Sequence, residues 1–270
     1  MNRKAKKLAK TGAALTGAYF AAIMPRLANR PEPMPKVYYA HRGLHDNGGD
    51  APENTLAAFQ KAVDAGYGIE LDVQLARDGH VVVAHDMHLK RNCGIEKNIC
   101  QATYGELQQY PVFGSDQRIP LFEDVLKLVD GRVPLIVEYK SEFSVRELCR
   151  KTDALLQKYT GVYCIESFDP RVLLWYRANR PKICRGQLSF NYQKEKKYEP
   201  PYFAMRHLLT DIFTAPDFIA YDCTDKKAVS LVLCRKLYRC PAFAWTVKSA
   251  EELKEVRPYF DYFIFEGFRP

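Results

Sequence analysis

From Val37 onward the chain alternates between two hydrophobic rhythms. Short runs of β-branched and aromatic residues recur at 37–41, 69–75, 80–84, 134–139, 162–166, 183–188, 218–221, 242–247 and 262–265. Most of the gaps between them carry apolar residues at every third or fourth position. In Thr55–Ala65 these are Leu56, Phe59 and Val63, and the pattern stops at Gly66. Pro120–Val129 opens on proline and carries Glu123 and Asp124 early, a good helix start. Val145–Tyr159, Pro170–Asn179, Lys226–Tyr238 and Ala250–Val256 follow the same logic. Alternation of this kind predicts a parallel sheet with helices outside it.

One pair of strands differs. Between 69–75 and 80–84 there is no room for a helix, and Asp78-Gly79 signals a hairpin turn instead. Setting the 80–84 arm aside leaves eight strands for the parallel set. Eight βα units in about 230 residues predict a TIM (β/α)8 barrel. No G-x-G-x-x-G follows the first strand, so an open dinucleotide-binding sheet loses support. Residues 87–118 read as a polar insertion after the hairpin that covers one side of the site.

Charge separates a tail from a body. The 270 residues carry a formal charge of +8, but residues 1–36 hold eight basic side chains and one acid, and so account for +7 of it. The body, 37–270, is close to neutral and reads as one catalytic domain. A basic tail on a neutral body fits an anionic membrane surface better than nucleic acid, which is not expected as a partner. Within the tail, Thr11–Pro25 contains no charge. As a helix it would span about 22 Å, short of the hydrocarbon core of a bilayer, which is about 30 Å thick. A short uncleaved anchor, a surface helix and a disordered tail are the three readings, with membrane association through residues 1–30 on the cytoplasmic side preferred to a soluble cytoplasmic protein. Arg30-Pro-Glu-Pro-Met-Pro35 is then a stiff linker. The eight cysteines show no metal-ligand spacing and read as reduced thiols.

In a TIM barrel the side chains that act on ligands come from the C-terminal strand ends. Those ends carry His41-Arg42-Gly43, then Glu70 and Asp72, then His85-Asp86, then Glu138 and Lys140. Each i, i+2 pair points to one side of its strand. Acids facing a barrel interior are costly unless paired or bound to a cation. Three carboxylates without a Cys or His cluster suit one hard divalent cation, Mg²⁺ or Ca²⁺. His41 and His85 could supply a general base and a general acid, and Arg42 and Lys140 charge for a phosphate. Singly, each has a plainer reading: Glu138 and Lys140 as a structural ion pair, Asp72 facing the helices. Their order at successive strand ends favours chemistry.

These residues stand within longer motifs. Ala40-His41-Arg42-Gly43, Pro52-Glu53-Asn54-Thr55, Glu70-Leu71-Asp72-Val73-Gln74-Leu75, Asp78-Gly79 and Val83-Ala84-His85-Asp86 together resemble the glycerophosphodiester phosphodiesterase family. Leu89, Arg91, Ile119-Pro120-Leu121 with Glu123, Glu138-Tyr139-Lys140, Ser167-Phe168-Asp169-Pro170 and Trp245-Thr246-Val247 extend the likeness over about 37–266. Where the family often closes its last strand with an Asp-containing turn, this chain has Phe265-Glu266-Gly267. The resemblance implies a TIM barrel in which Glu70, Asp72 and Glu138 bind the metal. It implies His41 and His85 as the acid–base pair and Arg42 and Lys140 as phosphate ligands. Glu53 and Asn54 would support the metal site or its loop, and Trp245 would form a pocket wall.

The implied activity is metal-dependent hydrolysis of a small glycerophosphodiester to glycerol 3-phosphate and an alcohol, through a cyclic phosphate. A lysophospholipase D-like reaction on membrane lysophospholipids is the second reading, with Tyr192, Tyr198, Tyr202 and Phe203 as candidate walls. A non-enzymatic, membrane-tethered binding module is the third, and it predicts loss of a ligand or a histidine. The sequence sets no oligomeric state.

Overall fold

The computed structural model describes residues 3–140 and 144–270. Its strands are β1 (Tyr38–His41), β2 (Gly68–Leu75), β3 (Val81–Val83), β4 (Leu135–Tyr139), β5 (Tyr163–Ser167), β6 (Arg185–Ser189), β7 (Phe218–Asp222), β8 (Ala242–Val247) and β9 (Tyr262–Phe265). Eight of them run parallel in the order β1-β9-β8-β7-β6-β5-β4-β2, and β1 pairs with β2 to close the barrel. β3 is the antiparallel hairpin arm, with Leu75 opposite Val81 and Val73 opposite Val83.

The period of two sorts each strand. One set of side chains, including Ala40, Ile69, Leu71, Val73, Leu135, Val137 and Ile165, packs outward on helices Leu56–Asp64, Phe122–Val129, Val145–Leu156 and Pro170–Asn179. The alternate set points into the barrel. At its lower end Tyr39, Ile136, Cys164, Phe218, Phe243 and Tyr262 form an apolar floor. Two glycines make room for these rings: a Cβ on Gly68 would lie 2.5 Å from the Tyr39 ring, and one on Gly186 2.0 Å from that of Phe218.

The linker closes the floor from below. Met34 is buried among the floor residues, and the Tyr39 hydroxyl donates to the Pro35 carbonyl at 2.8 Å. Arg26 donates to the Pro181 carbonyl and Arg30 to that of Arg239, in loops that enter strands. The uncharged tail segment lies in a helix over Arg3–Ala22. Ile23, just beyond it, is fully buried with Leu231 and Cys234, and the Tyr238 hydroxyl donates to the Phe20 carbonyl at 2.7 Å. Among the described residues no helix is long and apolar enough to cross a membrane. All eight cysteines are free.

Two segments differ from expectation. The 87–118 insertion is not simply polar: Leu89, Ile99, Ala102, Leu107 and Val112 form their own cluster with Val82, Ala84 and Ile119. Its helical turns are only three or four residues long, so each buries one or two side chains and leaves no helical period in the sequence. The crossover from β6 to β7 is likewise built of short pieces, Tyr192–Glu195, Pro200–Arg206 and Asp211–Thr214.

Candidate active site

The site begins with a turn that few residues other than glycine adopt readily. After His41 the chain reverses through Arg42 at φ 57° and Gly43 at φ 84°. A Cβ on Gly43 would lie 2.9 Å from the Ala58 backbone, so glycine is required there. Arg42 is not glycine, and its left-handed conformation is strain held by what surrounds it. The turn aims the Arg42 amide at Glu70, donating to Oε2 at 3.1 Å. Asn54, also left-handed at φ 56°, is locked beside it. Its amide N–H donates to the Arg42 carbonyl at 2.9 Å, and its side-chain Nδ2 to Asp72 Oδ2 at 2.8 Å.

Four buried carboxylates converge on the mouth. β2 contributes Glu70 and Asp72, β4 contributes Glu138, and β5 contributes Glu166. One oxygen each from Glu70, Glu138 and Glu166 lies within 4.8 Å of the others. Asp72 is engaged differently, as Lys140 Nζ bridges its Oδ1 at 3.1 Å and Glu138 Oε1 at 2.5 Å. Glu70 Oε1 and Glu166 Oε2 are buried without a hydrogen-bond partner. Burial, reinforced by the neighbouring carboxylates, pushes the Glu70 and Glu166 carboxyls well above the ordinary range. Burial also raises Glu138, against the pull of Lys140. At Asp72 burial is outweighed by Lys140, His85 and Arg42, which hold the group well below the usual range. An oxygen-only donor set with orphaned buried carboxylate oxygens is what a hard divalent cation requires, so the residues present fit such an ion.

Both histidines carry a carboxylate on Nδ1. His41 Nδ1 lies 2.6 Å from Glu266 Oε2, and its Nε2 lies 3.9 Å from Glu70 Oε2. Burial brings His41 down to about 4 although Glu266 draws it the other way, so the ring is neutral near pH 7. His85 Nδ1 lies 2.7 Å from Asp86 Oδ1. Asp86 is shared with Arg91, whose Nε reaches Oδ2 at 2.5 Å. Arg91 also holds Glu53 at 2.6 Å, and Glu53 accepts from Arg42 at 2.8 Å and from Asn47 at 2.8 Å. Burial resists the Glu53 charge, but Arg91, Arg42 and Asn47 bring its carboxyl down to about 2. Glu53 thus ties the loop after β1 to the insertion, and Arg42 links it to Asp72.

A cavity of about 380 Å³ joins these groups. His41, Arg42, Glu53, Glu70, His85, Glu138, Lys140 and Trp245 all line it, with Phe168, Leu188 and Ile264 completing an apolar wall. Asp72 and Asn54 lie beneath, reached through Lys140 and Arg42. Glu166, Leu188 and Ile264 were not singled out from the sequence, and Arg91, Phe168 and Glu266 stood in its motifs without a role in the site. Glu166 had one signal, an acid two places beyond Cys164 on an inward-facing row. Tyr192, Tyr198, Tyr202 and Phe203 are not in the cavity lining. Tyr192 and Tyr202 continue outward from Trp245 through Phe190 in a chain of ring contacts.

Comparison with known proteins gives a consistent picture. A model of the glycerophosphoryl diester phosphodiesterase family matches residues 41–259. A glycerophosphodiester phosphodiesterase of Bacillus altitudinis is 38% identical over 120 residues, 42% of this chain and 47% of that protein. A human lysophospholipase D is 35% identical over 135 residues, 45% of this chain and 41% of that protein. The chain therefore spans less than half the length of these relatives. The crystal structure of a Thermotoga maritima glycerophosphodiester phosphodiesterase is 25% identical, with a TM-score of 0.66 over 87% of this chain and 96% of that one.

Proposed function

The chain belongs to the glycerophosphoryl diester phosphodiesterase family, and from that premise we propose that it hydrolyses small glycerophosphodiesters to glycerol 3-phosphate and an alcohol. The observation that carries this reading is one cavity lined by His41 and His85, the cationic side chains of Arg42, Arg91, Lys140 and Lys248, and buried carboxylates. The family uses a divalent metal. Glu70, Asp72 and Glu138 would hold it, with Glu166 as a fourth carboxylate at the same place. Bound there, Mg²⁺ or Ca²⁺ would neutralise phosphate oxygens and the charge that builds on them.

The chain's own residues would do the rest. Arg42 and Lys140 face the phosphate with fixed positive charge. One of His41 and His85 takes the proton of the glycerol 2-hydroxyl as that oxygen attacks phosphorus. The other gives a proton to the departing alcohol oxygen as its bond to phosphorus breaks. The product is a cyclic phosphate, which water opens with the two roles exchanged, leaving each histidine as it began. The binding-module reading predicts loss of a ligand or a histidine, and His41, His85, Glu70, Asp72, Glu138, Arg42 and Lys140 are all present.

The lysophospholipase D-like reading keeps this chemistry and enlarges the substrate. It draws on the exposed Tyr198 and Phe203 of the β6–β7 crossover, 67% and 55% accessible. The mostly charged cavity lining favours the smaller diester. We further propose that residues 1–30 meet an anionic membrane surface on the cytoplasmic side. Leu15 stands 67% exposed on the helix, and Ile23 pins the following residues to the body.

The test incubates the full chain with glycerophosphocholine, glycerophosphoethanolamine, or lysophosphatidylcholine in anionic vesicles, with Mg²⁺, Ca²⁺ or EDTA. EDTA-sensitive glycerol 3-phosphate from the small diesters is expected, with the protein sedimenting with the vesicles. Release of lysophosphatidic acid alone would transfer the function to lipid. A protein that stays in the supernatant would remove the membrane assignment. No turnover by folded, metal-loaded protein would refute the enzyme reading.

A further inference from the structure

We propose that Glu266 is a positioning residue for His41: it fixes the imidazole as the Nδ1–H tautomer and holds Nε2 toward the cavity. The inference rests on the acid–base role proposed above and adds a residue that the role requires.

Geometry is the first argument. Glu266 Oε2 stands 2.6 Å from His41 Nδ1, close enough for a strong charge-assisted hydrogen bond. A carboxylate can only accept, so Nδ1 must carry the hydrogen. A neutral ring then has its lone pair on Nε2. That atom lies 3.9 Å from Glu70 Oε2, on the cavity side. When Nε2 accepts a substrate proton, the imidazolium that forms already has an anion on its far side.

The scaffold is the second argument. His41 ends β1 and Glu266 follows β9, and these strands pair in register, Ala40 opposite Phe265. The Glu266 amide donates to the Val247 carbonyl at 2.9 Å, which ties it to β8 as well. The two side chains are thus presented by neighbouring rungs of the barrel, not by a loop.

The third argument is what each carboxylate holds. Among the described residues the short ion pair of Glu266 is with His41, with His45 and Lys248 acting on it from farther off. Asp86, on the other histidine, is shared with Arg91, and so much of its charge is committed elsewhere. Glu266 is 29% exposed and lines the cavity. A purely structural acid would have little reason to stand there.

The test uses the full chain and the variants Glu266→Gln, Glu266→Ala and Glu266→Asp. On the best small diester, kcat should fall about 10- to 100-fold in Glu266→Gln, the range for losing a residue that orients an imidazole, with KM within about twofold. Formate should restore part of the activity of Glu266→Ala, because the lost carboxylate opens onto the cavity, and chloride should not. Retained kcat in Glu266→Gln, or a loss confined to KM, would overturn the role. A second readout needs no turnover. Nitrogen-15 NMR of the wild type should show His41 protonated at Nδ1, and Glu266→Gln should shift that nitrogen. Wild-type protein with the Nε2–H tautomer would overturn the proposal even with full activity. An inactive wild type with the expected tautomer would instead count against the proposed reaction and uphold the pairing.

Discussion

The floor and the mouth of this barrel are built by the same strands, two residues apart. β1 places Tyr39 in the floor and His41 in the mouth; β4 places Ile136, then Glu138. β5 gives Cys164 and then Glu166, and β8 gives Phe243 and then Trp245. Below, rings meet closely, with Phe243 stacked on Tyr262 at 4.3 Å and Phe218 against Phe243 at 4.6 Å. Above, carboxylates crowd one another, and Glu70 Oε1 and Glu166 Oε2 are buried with neither a hydrogen bond nor an ion pair among the described residues. The contrast shows a division of labour along each strand. Apolar burial at one level holds the sheet closed, and that closure holds together charges that would otherwise separate.

If that division is real, the two levels should respond differently to truncation. The largest effect is expected on turnover. His41→Ala or His85→Ala should lower kcat by about 10²- to 10⁴-fold, the span of general acid–base catalysis, with a thermal midpoint close to wild type. A midpoint that drops as far as a core mutant's would put the histidine in the scaffold. Phe243→Ala should do the reverse. Removing a buried Phe costs about 3–5 kcal/mol, read as a lower denaturant midpoint. Activity per folded molecule should stay near wild type. Undiminished stability would mean that the floor does not carry the barrel.

The two levels also differed in how far the sequence disclosed them. The strands were legible because outward and inward rows are both apolar at the floor and form compact runs such as 134–139 and 242–247. The mouth was legible where an acid or histidine broke such a run at its end, as at His41, Glu70, Asp72 and Glu138. Glu166 stands in the same kind of position, but a single acid at a strand end reads equally well as a solvated one. Only the barrel's closure turns it inward. Glu266 was visible only as part of the turn that stands where the family often has an Asp, and its pairing was hidden for a different reason. Its partner His41 is 225 residues away in sequence, and they meet because the last strand pairs with the first. No local pattern carries that information. The crossover between β6 and β7 was illegible because its helices are too short to show a period.

The smallest effect expected is the most direct probe of the contrast. Glu70 and Glu166 hold their protons in the fold above the ordinary carboxyl range, chiefly because they are buried. In the unfolded chain they release them near 4.5. Above that pH the folded state binds more protons than the unfolded one, so these two groups make stability fall as pH rises. Asp72 has the opposite sign, and its contribution is lost only in acid. Glu166→Gln removes one rising-pH penalty without changing shape. The metal-free variant should therefore gain stability, on the order of 1 kcal/mol or more near pH 8, in keeping with relief of an uncompensated buried acid, and less as pH falls through 5 toward 4. The same substitution should weaken divalent cation binding, and calorimetry in buffers of different ionisation enthalpy should show fewer protons released. A variant less stable than wild type at pH 8 in EDTA would mean that Glu166 is held by favourable contacts. The mouth would then be as well satisfied as the floor.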